Sequence, residues 1–295
     1  MNTLMLALPG SDAFAGRLSE LTGIPLGRVE SHRFPDGEAY LRVESDCRDR
    51  SLVLVCTLDR PDDKLLPLIF LADAVRDLGA VRVGLVAPYL AYMRQDRRFQ
   101  QGEAVTSRTF AGLLSRYVEW LVTVDPHLHR YTSLAQIYSI PNRVVHAAEP
   151  LAAWIKAHVD RPVLIGPDEE SKQWIAAVAE RAAAPYVVLR KVRHADGTVE
   201  VSSADLAAQR KRTPVVLDDI VSSAGTMIET VKPLVAAHMR PPVCLAVHAL
   251  FSKAAEEKLR RAGAGRIAST TTVPHASNAI DIAPLLVPAV KEFAL

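Results

Sequence analysis

Pro214–Glu229 reads PVVLDDIVSSAGTMIE, and it limits the architectures open to this chain more than any other stretch. Pro214 to Leu217 is a short apolar run with β-branched residues, the pattern of a buried strand. Asp218 and Asp219 come next, followed by the small and hydroxylic residues Ser222, Ser223, Ala224, Gly225 and Thr226, and Met227 opens a helical pattern. A strand ending on paired carboxylates delivers them to the carboxyl edge of a sheet, where open α/β folds bind ligands. Small residues let a backbone approach a phosphate closely. N–H groups at the start of the next helix, with Ser and Thr hydroxyls, can hold it. Asp218 and Asp219 would repel a bare phosphate, so they suit sugar hydroxyls or a Mg²⁺ ion. The plainer alternative is a strand, a polar turn and a helix cap, with both carboxylates in water.

Short apolar runs alternate with helical patterns along the whole chain. Leu4 to Leu8, Leu52 to Cys56, Val81 to Ala87 and Leu121 to Val124 read as strands of a first half. Asp12 to Leu21 and Pro61 to Leu78 read as helices, the second stopped by Gly79. Val29 to Arg33 and Glu38 to Val43 read as more exposed strands around the turn Phe34-Pro35-Asp36-Gly37. A second half repeats the pattern. Its strands are Val163 to Ile165, Tyr186 to Leu189, Val215 to Leu217, Val243 to Val247 and Arg266 to Ser269. Its helices are Glu169 to Ala182, Thr226 to Ala237 and Lys253 to Ala262. The expected fold is therefore α/β, two tandem units each built on a mainly parallel sheet flanked by helices, joined near Ala147 to Pro150.

With 295 residues and 49% hydrophobic content, two medium domains can each bury a core. The 35 basic residues nearly balance 33 acidic ones, which gives no bias toward nucleic acid or a membrane surface. Cys47, Cys56 and Cys244 are scattered and lack metal spacing, which fits a reduced, cytoplasmic protein. The start MNTLMLALPG has neither the basic flank nor the apolar length of a signal peptide, and no apolar stretch is long enough to span a bilayer.

Further groups of residues carry chemistry. Arg33 to Glu38 puts an aromatic ring and carboxylates on a tight turn, which could stack on a purine and accept from its amine, or be an ordinary hairpin turn. Arg94, Arg97 and Arg98 directly follow an apolar strand, where guanidinium forks suit phosphate oxygens, or the stretch is a solvated basic loop. Asp125-Pro126-His127-Leu128-His129 ends another strand and points His127 toward a ligand or ion, although two histidines alone make a weak metal site. Gly166 to Ser171 is an acidic strand-end turn that could hold Mg²⁺ or ribose through Asp168, or cap the next helix. Lys191 and Arg193, two apart in an extended segment, project to one side, and His194, Asp196 and Gly197 suggest a mobile loop. Two such cations suit charge neutralisation during phosphoryl transfer, although spacing alone favours an ordinary charged strand end.

As a set, RFPDGE, PYLAYMRQDRR, TVDPH, GPDE, the Lys-x-Arg pair and VVLDDIVSSAGT occur in the order that characterises ribose-phosphate pyrophosphokinases. The resemblance covers about Ser31 to Thr226, whereas plain phosphoribosyltransferases resemble only the second half. It implies two phosphoribosyltransferase-like domains, 1–147 with ATP-binding elements and 148–295 with the ribose 5-phosphate site and a catalytic loop. It further implies transfer of the diphosphoryl group of ATP to the C1 hydroxyl of ribose 5-phosphate, with Mg²⁺ as cofactor. Carried over by residue, Phe34, Asp36, Glu38, Arg94, Gln95 and Arg97 would bind ATP. His127 and Asp168 would serve Mg²⁺, and Lys191 and Arg193 would be catalytic. Asp218, Asp219, Ser222, Ser223, Ala224, Gly225 and Thr226 would hold ribose 5-phosphate. The family also implies a homo-oligomer, at least a dimer, whose turn around Phe34 completes a neighbour's ATP site.

This sequence departs from the common bacterial pattern. Ser222 stands where that form has an acid, Ala224 where it has Gly, and Phe99 to Glu103 lacks its anion-binding residues. With Thr271 to His275, these features resemble the shorter archaeal branch. Two alternatives stand beside the main reading: a pyrophosphokinase for another 5-substituted ribose such as ADP-ribose, and a non-catalytic regulatory subunit.

Overall fold

The computed structural model describes residues 2–189, 192–193, 199–200 and 203–295. They form two compact units, Met1–His146 with Thr272–Pro274 and Ile282–Leu295, and Ala147–Thr271 with His275–Asp281.

In chain order the first unit holds β1 (Thr3–Ala7), α1 (Asp12–Thr22), β2 (Val29–Arg33), β3 (Ala39–Val43), β4 (Ser51–Val55), α2 (Pro61–Asp77), β5 (Arg82–Ala87), α3 (Thr106–Tyr117), β6 (Trp120–Val124) and β7 (Asn142–Val145). Its main sheet runs β1-β4-β5-β6-β7, and every neighbouring pair is parallel. Strands β1, β4, β5 and β6 are almost wholly buried, which is why they read as continuous apolar runs rather than alternating ones. Strands β2 and β3 form a separate antiparallel hairpin with Arg33 opposite Ala39. Strand β2 is largely exposed, in keeping with its polar sequence, whereas β3 is mostly half-buried.

The second unit holds α4 (Ala148–His158), β8 (Pro162–Gly166), α5 (Lys172–Ala182), β9 (Tyr186–Val188), β10 (Val192–Arg193), β11 (Val199–Glu200), α6 (Ser203–Ala208), β12 (Thr213–Val221), α7 (Gly225–Ala236), β13 (Val243–Ala249), α8 (Lys253–Arg261), β14 (Arg266–Thr270) and β15 (Asn278–Ile280). Its main sheet runs β15-β14-β13-β12-β8-β9, again with parallel neighbours throughout. From β8 the chain steps outward to β9, then returns to β8's other side as β12 and continues outward from there. The order therefore reverses between β8 and β12, and in open α/β sheets ligands bind outside the strand carboxyl ends at such a point.

Two findings correct the sequence reading. Residues 148–295 do not all stay with the second unit. The last helix, α9 (Ala283–Ala294), belongs to the first, and Phe293 stacks on the buried Trp120 of β6 at 5.4 Å and 16°. Thr3 Oγ1 of β1 also donates to Ala294 O at 2.9 Å. A division drawn in chain order cannot foresee a segment that returns to cover the first sheet. Second, β12 does not stop at Leu217. Pairing with β13 continues to Val221 opposite Ala249, so Asp218 and Asp219 lie inside the strand rather than after it.

Candidate functional site

In the second unit the carboxyl ends of β8 and β12 carry Asp168 on one side and Asp218 with Asp219 on the other. Asp168 caps the turn that follows β8. Its Oδ1 accepts from Ser171 N–H at 3.0 Å, and its carbonyl accepts from Ser171 Oγ at 2.6 Å. The capping alternative is thus realised for one of its oxygens. Gly166 is needed just before it, since a Cβ there would lie 2.8 Å from Ser171 Oγ.

Asp218 is half-buried and Asp219 stands beside it, with Asp219 Oδ1 accepting from Ile220 N–H at 2.7 Å. Burial, then the adjacent Asp219 and then Asp168, push the Asp218 carboxyl up to about 8. A cation or a further hydrogen-bond donor brought to the pair would favour its ionised form. The loop then turns sharply. Ala224 adopts a left-handed conformation at φ 62°, is buried, and precedes the first residue of α7. That conformation costs a residue with a Cβ about 1–2 kcal/mol, and such strain collects at ligand-binding turns. Ser222, Ser223, Gly225 and Thr226 are exposed around it. Ser223 Oγ accepts from Gly225 N–H at 3.4 Å. The result is a largely exposed run of small residues at a helix N-terminus, a setting that suits a phosphate.

The Asp218 environment predicts a pH effect on stability. Unfolded, the group ionises near 3.8, and folded near 8, so between those values the native state binds more protons. Stability therefore falls as pH rises through that window and levels off above it. Asp218→Asn removes the effect. In urea unfolding, the variant should gain on the wild type from pH 4 to 8, with a constant gap above 8. Parallel stability curves across that range would contradict the placement.

In the first unit, Arg94, Gln95 and Arg97 lie on the segment after β5, with both arginines exposed and Gln95 half-buried. Tyr92 opens this segment at φ 60° and donates through its hydroxyl to Asp62 of α2. The segment after β6 is bound to it: Arg130 Nη1 donates to Asp96 Oδ1 at 2.9 Å and Oδ2 at 3.2 Å, and Tyr131 OH donates to Asp96 O at 3.0 Å. Sequence reading passed over Asp96. Its signal was a lone acid inside RQDRR, and its partner lies 34 residues away.

His127 and His129 form an edge-to-face pair with centroids 3.9 Å apart. Just before them, Asp125 Oδ1 meets His146 Nδ1 at 2.7 Å and joins the ends of β6 and β7. Among the described residues, no group of three or more His, Cys, Asp or Glu side chains gathers to hold a metal. Mg²⁺ needs no such cage when substrate phosphates and water complete its shell. Asp168 offers the oxygen donor that this hard ion takes, whereas the His127 nitrogen suits it less well.

On the hairpin turn, Phe34 N–H donates to Glu38 O at 2.8 Å and Gly37 N–H to Phe34 O at 2.9 Å. Asp36 Oδ1 accepts from Glu38 N–H at 3.1 Å, so one of its oxygens shapes the turn itself. The Phe34 ring is 45% exposed, held edge-on by His32 at 5.3 Å and Tyr40 at 6.1 Å. Lys191 and the expected loop at His194, Asp196 and Gly197 lie outside the described residues. Arg193 falls in β10, opposite Val199 of β11.

Known proteins match both units. Residues 3–117 fit the N-terminal domain of ribose phosphate pyrophosphokinase, and 133–283 fit the phosphoribosyl transferase domain. The ribose-phosphate pyrophosphokinase of Saccharolobus solfataricus is 36% identical over 259 residues, covering 87% of this chain and 88% of its own. That of Methanopyrus kandleri is 33% identical over 294 residues, covering 99% of each. The crystal structure of phosphoribosylpyrophosphate synthetase from Mycobacterium smegmatis shares the fold with a TM-score of 0.86 at 21% identity, over 99% of this chain and 98% of that one.

Proposed function

The chain belongs to the ribose-phosphate pyrophosphokinase family and transfers the diphosphoryl group of ATP to the C1 hydroxyl of ribose 5-phosphate; we propose that its two phosphoribosyltransferase-like domains divide this work by substrate. The observation that carries the division is the meeting of Asp168, Asp218 and the small-residue loop at the reversal point of the second sheet. There the backbone of Ser222, Ser223, Ala224, Gly225 and Thr226 holds the 5′-phosphate, while Asp218 and Asp219 accept from ribose hydroxyls. In the first domain Arg94, Gln95 and Arg97 hold the ATP phosphates. Phe34 stacks on adenine, and Asp36 and Glu38 accept from its amine.

The C1 hydroxyl oxygen attacks the β-phosphorus and gives up its proton to solvent, the bond from that phosphorus to the oxygen shared with the α-phosphorus breaks, and AMP leaves with that oxygen. Such in-line transfer depends on positioning and charge neutralisation. Lys191 and Arg193 supply fixed positive charge to the group in flight. Bound Mg²⁺ supplies further neutralisation of the phosphates, with Asp168 as an oxygen ligand and His127 beside the reacting phosphates. A cytoplasmic setting fits the free, buried thiols of Cys47, Cys56 and Cys244, and no helix among the described residues is long and apolar enough to cross a membrane.

Two experiments test the division. Calorimetric titration of Asp219→Ala should show weakened ribose 5-phosphate binding and nearly intact ATP binding. Loss of ATP binding alone would move the sugar elsewhere. Presenting the enzyme with ribose 5-phosphate or ADP-ribose, each with ATP and Mg²⁺, should release AMP with the first sugar. Release with the second alone would install the other acceptor.

The working form is an oligomer, at least a dimer, in which the turn at Phe34, Asp36 and Glu38 completes a neighbour's ATP site. In support, β2 and the turn that follows it are largely exposed, as are Leu66 and Phe70 on α2, which packs against β3. Mixing Phe34→Ala/Asp36→Ala chains with Lys191→Ala chains, each inactive alone, should restore activity in mixed dimers. Verified mixing without activity would place the adenine contacts within one chain.

A further inference from the structure

We propose that Phe99 is a positioning residue that holds the Arg97 guanidinium ready for the phosphates of ATP, supported by Asp96 and Arg130. The proposal rests on the reading of Arg97 as an ATP ligand.

Phe99 is 54% exposed, so core packing does not account for a phenyl at this place. Its ring instead carries two cations, with Arg97 Cζ 4.9 Å and Arg130 Cζ 5.4 Å from the centroid. The backbone beneath the ring is fixed despite its exposure. Glu103 Oε2 accepts from Phe99 N–H at 2.6 Å and Gln100 N–H at 3.1 Å, and Arg98 Nε donates to Glu103 O at 2.9 Å. Arg130 is fixed in turn by Asp96, which is 5% exposed and immediately precedes Arg97 in the chain. One buried carboxylate thus secures both the backbone that Arg97 leaves and the second cation over the ring.

The arrangement has a physical use. An arginine side chain carries up to about 2 kcal/mol of rotamer entropy, part of which is lost when it closes on a ligand. A ring that already restrains the guanidinium lowers that loss at the moment of binding.

The test is a double-mutant cycle on the full-length enzyme, read by steady-state kinetics with Phe99→Leu, Arg97→Ala, the pair, and Phe99→Trp. Phe99→Leu should raise KM for ATP roughly two- to five-fold, the size of an exposed cation–π contact. It should leave kcat, KM for ribose 5-phosphate and the thermal midpoint unchanged. Phe99→Trp should retain the wild-type KM, and Phe99→Leu should have no further effect once Arg97 is Ala. The proposal is overturned if Phe99→Leu leaves KM for ATP unchanged. It is also overturned if the increase is the same in both backgrounds, which would put the ring on the nucleotide itself, or if only the thermal midpoint moves. If Arg97→Ala leaves KM for ATP unchanged, the assignment of Arg97 falls and the proposal with it. If Arg97→Ala raises that KM and Phe99→Leu does not, only the positioning role falls.

Discussion

Lys191→Ala and Arg193→Ala should each lower kcat by roughly 10²- to 10³-fold, the usual cost of removing one charge donor from a preorganised site. KM for ATP and for ribose 5-phosphate should change far less. The reason lies in what the transition state adds. In the proposed division of the work both substrates arrive already charged and held, ATP by the first domain's arginines and the sugar by the Ser222–Thr226 loop. Negative charge is redistributed only as the diphosphoryl group moves, so cations reserved for that group act on the chemical step. A loss in kcat and in kcat/KM by the same factor is the signature of an interaction made only in the transition state. Variants with normal kcat and weak substrate binding would make Lys191 and Arg193 capture residues instead.

Gly84→Ala should destabilise the protein by about 3 kcal/mol or more, at or beyond the upper end for overpacked cores. Gly84 of β5 lies opposite Trp120 of β6, and a Cβ there would sit 1.8 Å from Trp120 Cε2 and 2.1 Å from Cζ2. The indole has no room to yield. It is 1% exposed and stacks on Phe293 of the last helix. Relief would have to push α9 from the first sheet or part β5 from β6. Against a typical total stability of about 5–15 kcal/mol this is a large fraction, and urea unfolding reads it directly. Adding Trp120→Phe should recover part of the loss, because the two sites share one clash. A midpoint for Gly84→Ala close to the wild type would show that the ring is not confined as described.

Most of the fold was legible because parallel strands buried on both faces leave continuous apolar runs, and helices between them leave periodic ones. The elements that were not read lacked such signals. Helix α3 starts after Val105 without a side-chain cap, so nothing marked its beginning. Helix α9 contains Pro284 and Pro288, which read as breakers, yet the first sits in its first turn and the second is tolerated inside it. Strands β7 and β15 are short and partly exposed, with no run long enough to stand out.

Asp218 and Asp219 were read as following a strand that ends with the apolar run at Leu217, but pairing to β13 carries the strand past them although aspartate is depleted in strands. The small-residue turn at the start of α7 was legible because Ser222, Ser223, Ala224, Gly225 and Thr226 form an unbroken run of small and hydroxylic side chains. The supports of the arginine segment were not. Asp96 with Arg130, and Tyr92 with Asp62, become neighbours only once β5, β6 and α2 pack, which no local spacing encodes.

Following ³¹P resonances while the enzyme consumes ATP in the presence of Mg²⁺ and ribose 5-phosphate tests the central claim most directly. The expected result is AMP, together with a coupled pair of signals from a diphosphate on C1 of the sugar, both appearing at the rate ATP disappears. ADP with a singly phosphorylated C1 would make the protein an ordinary kinase. AMP with free pyrophosphate and unchanged sugar would make it a hydrolase, and either outcome contradicts diphosphoryl transfer to ribose 5-phosphate.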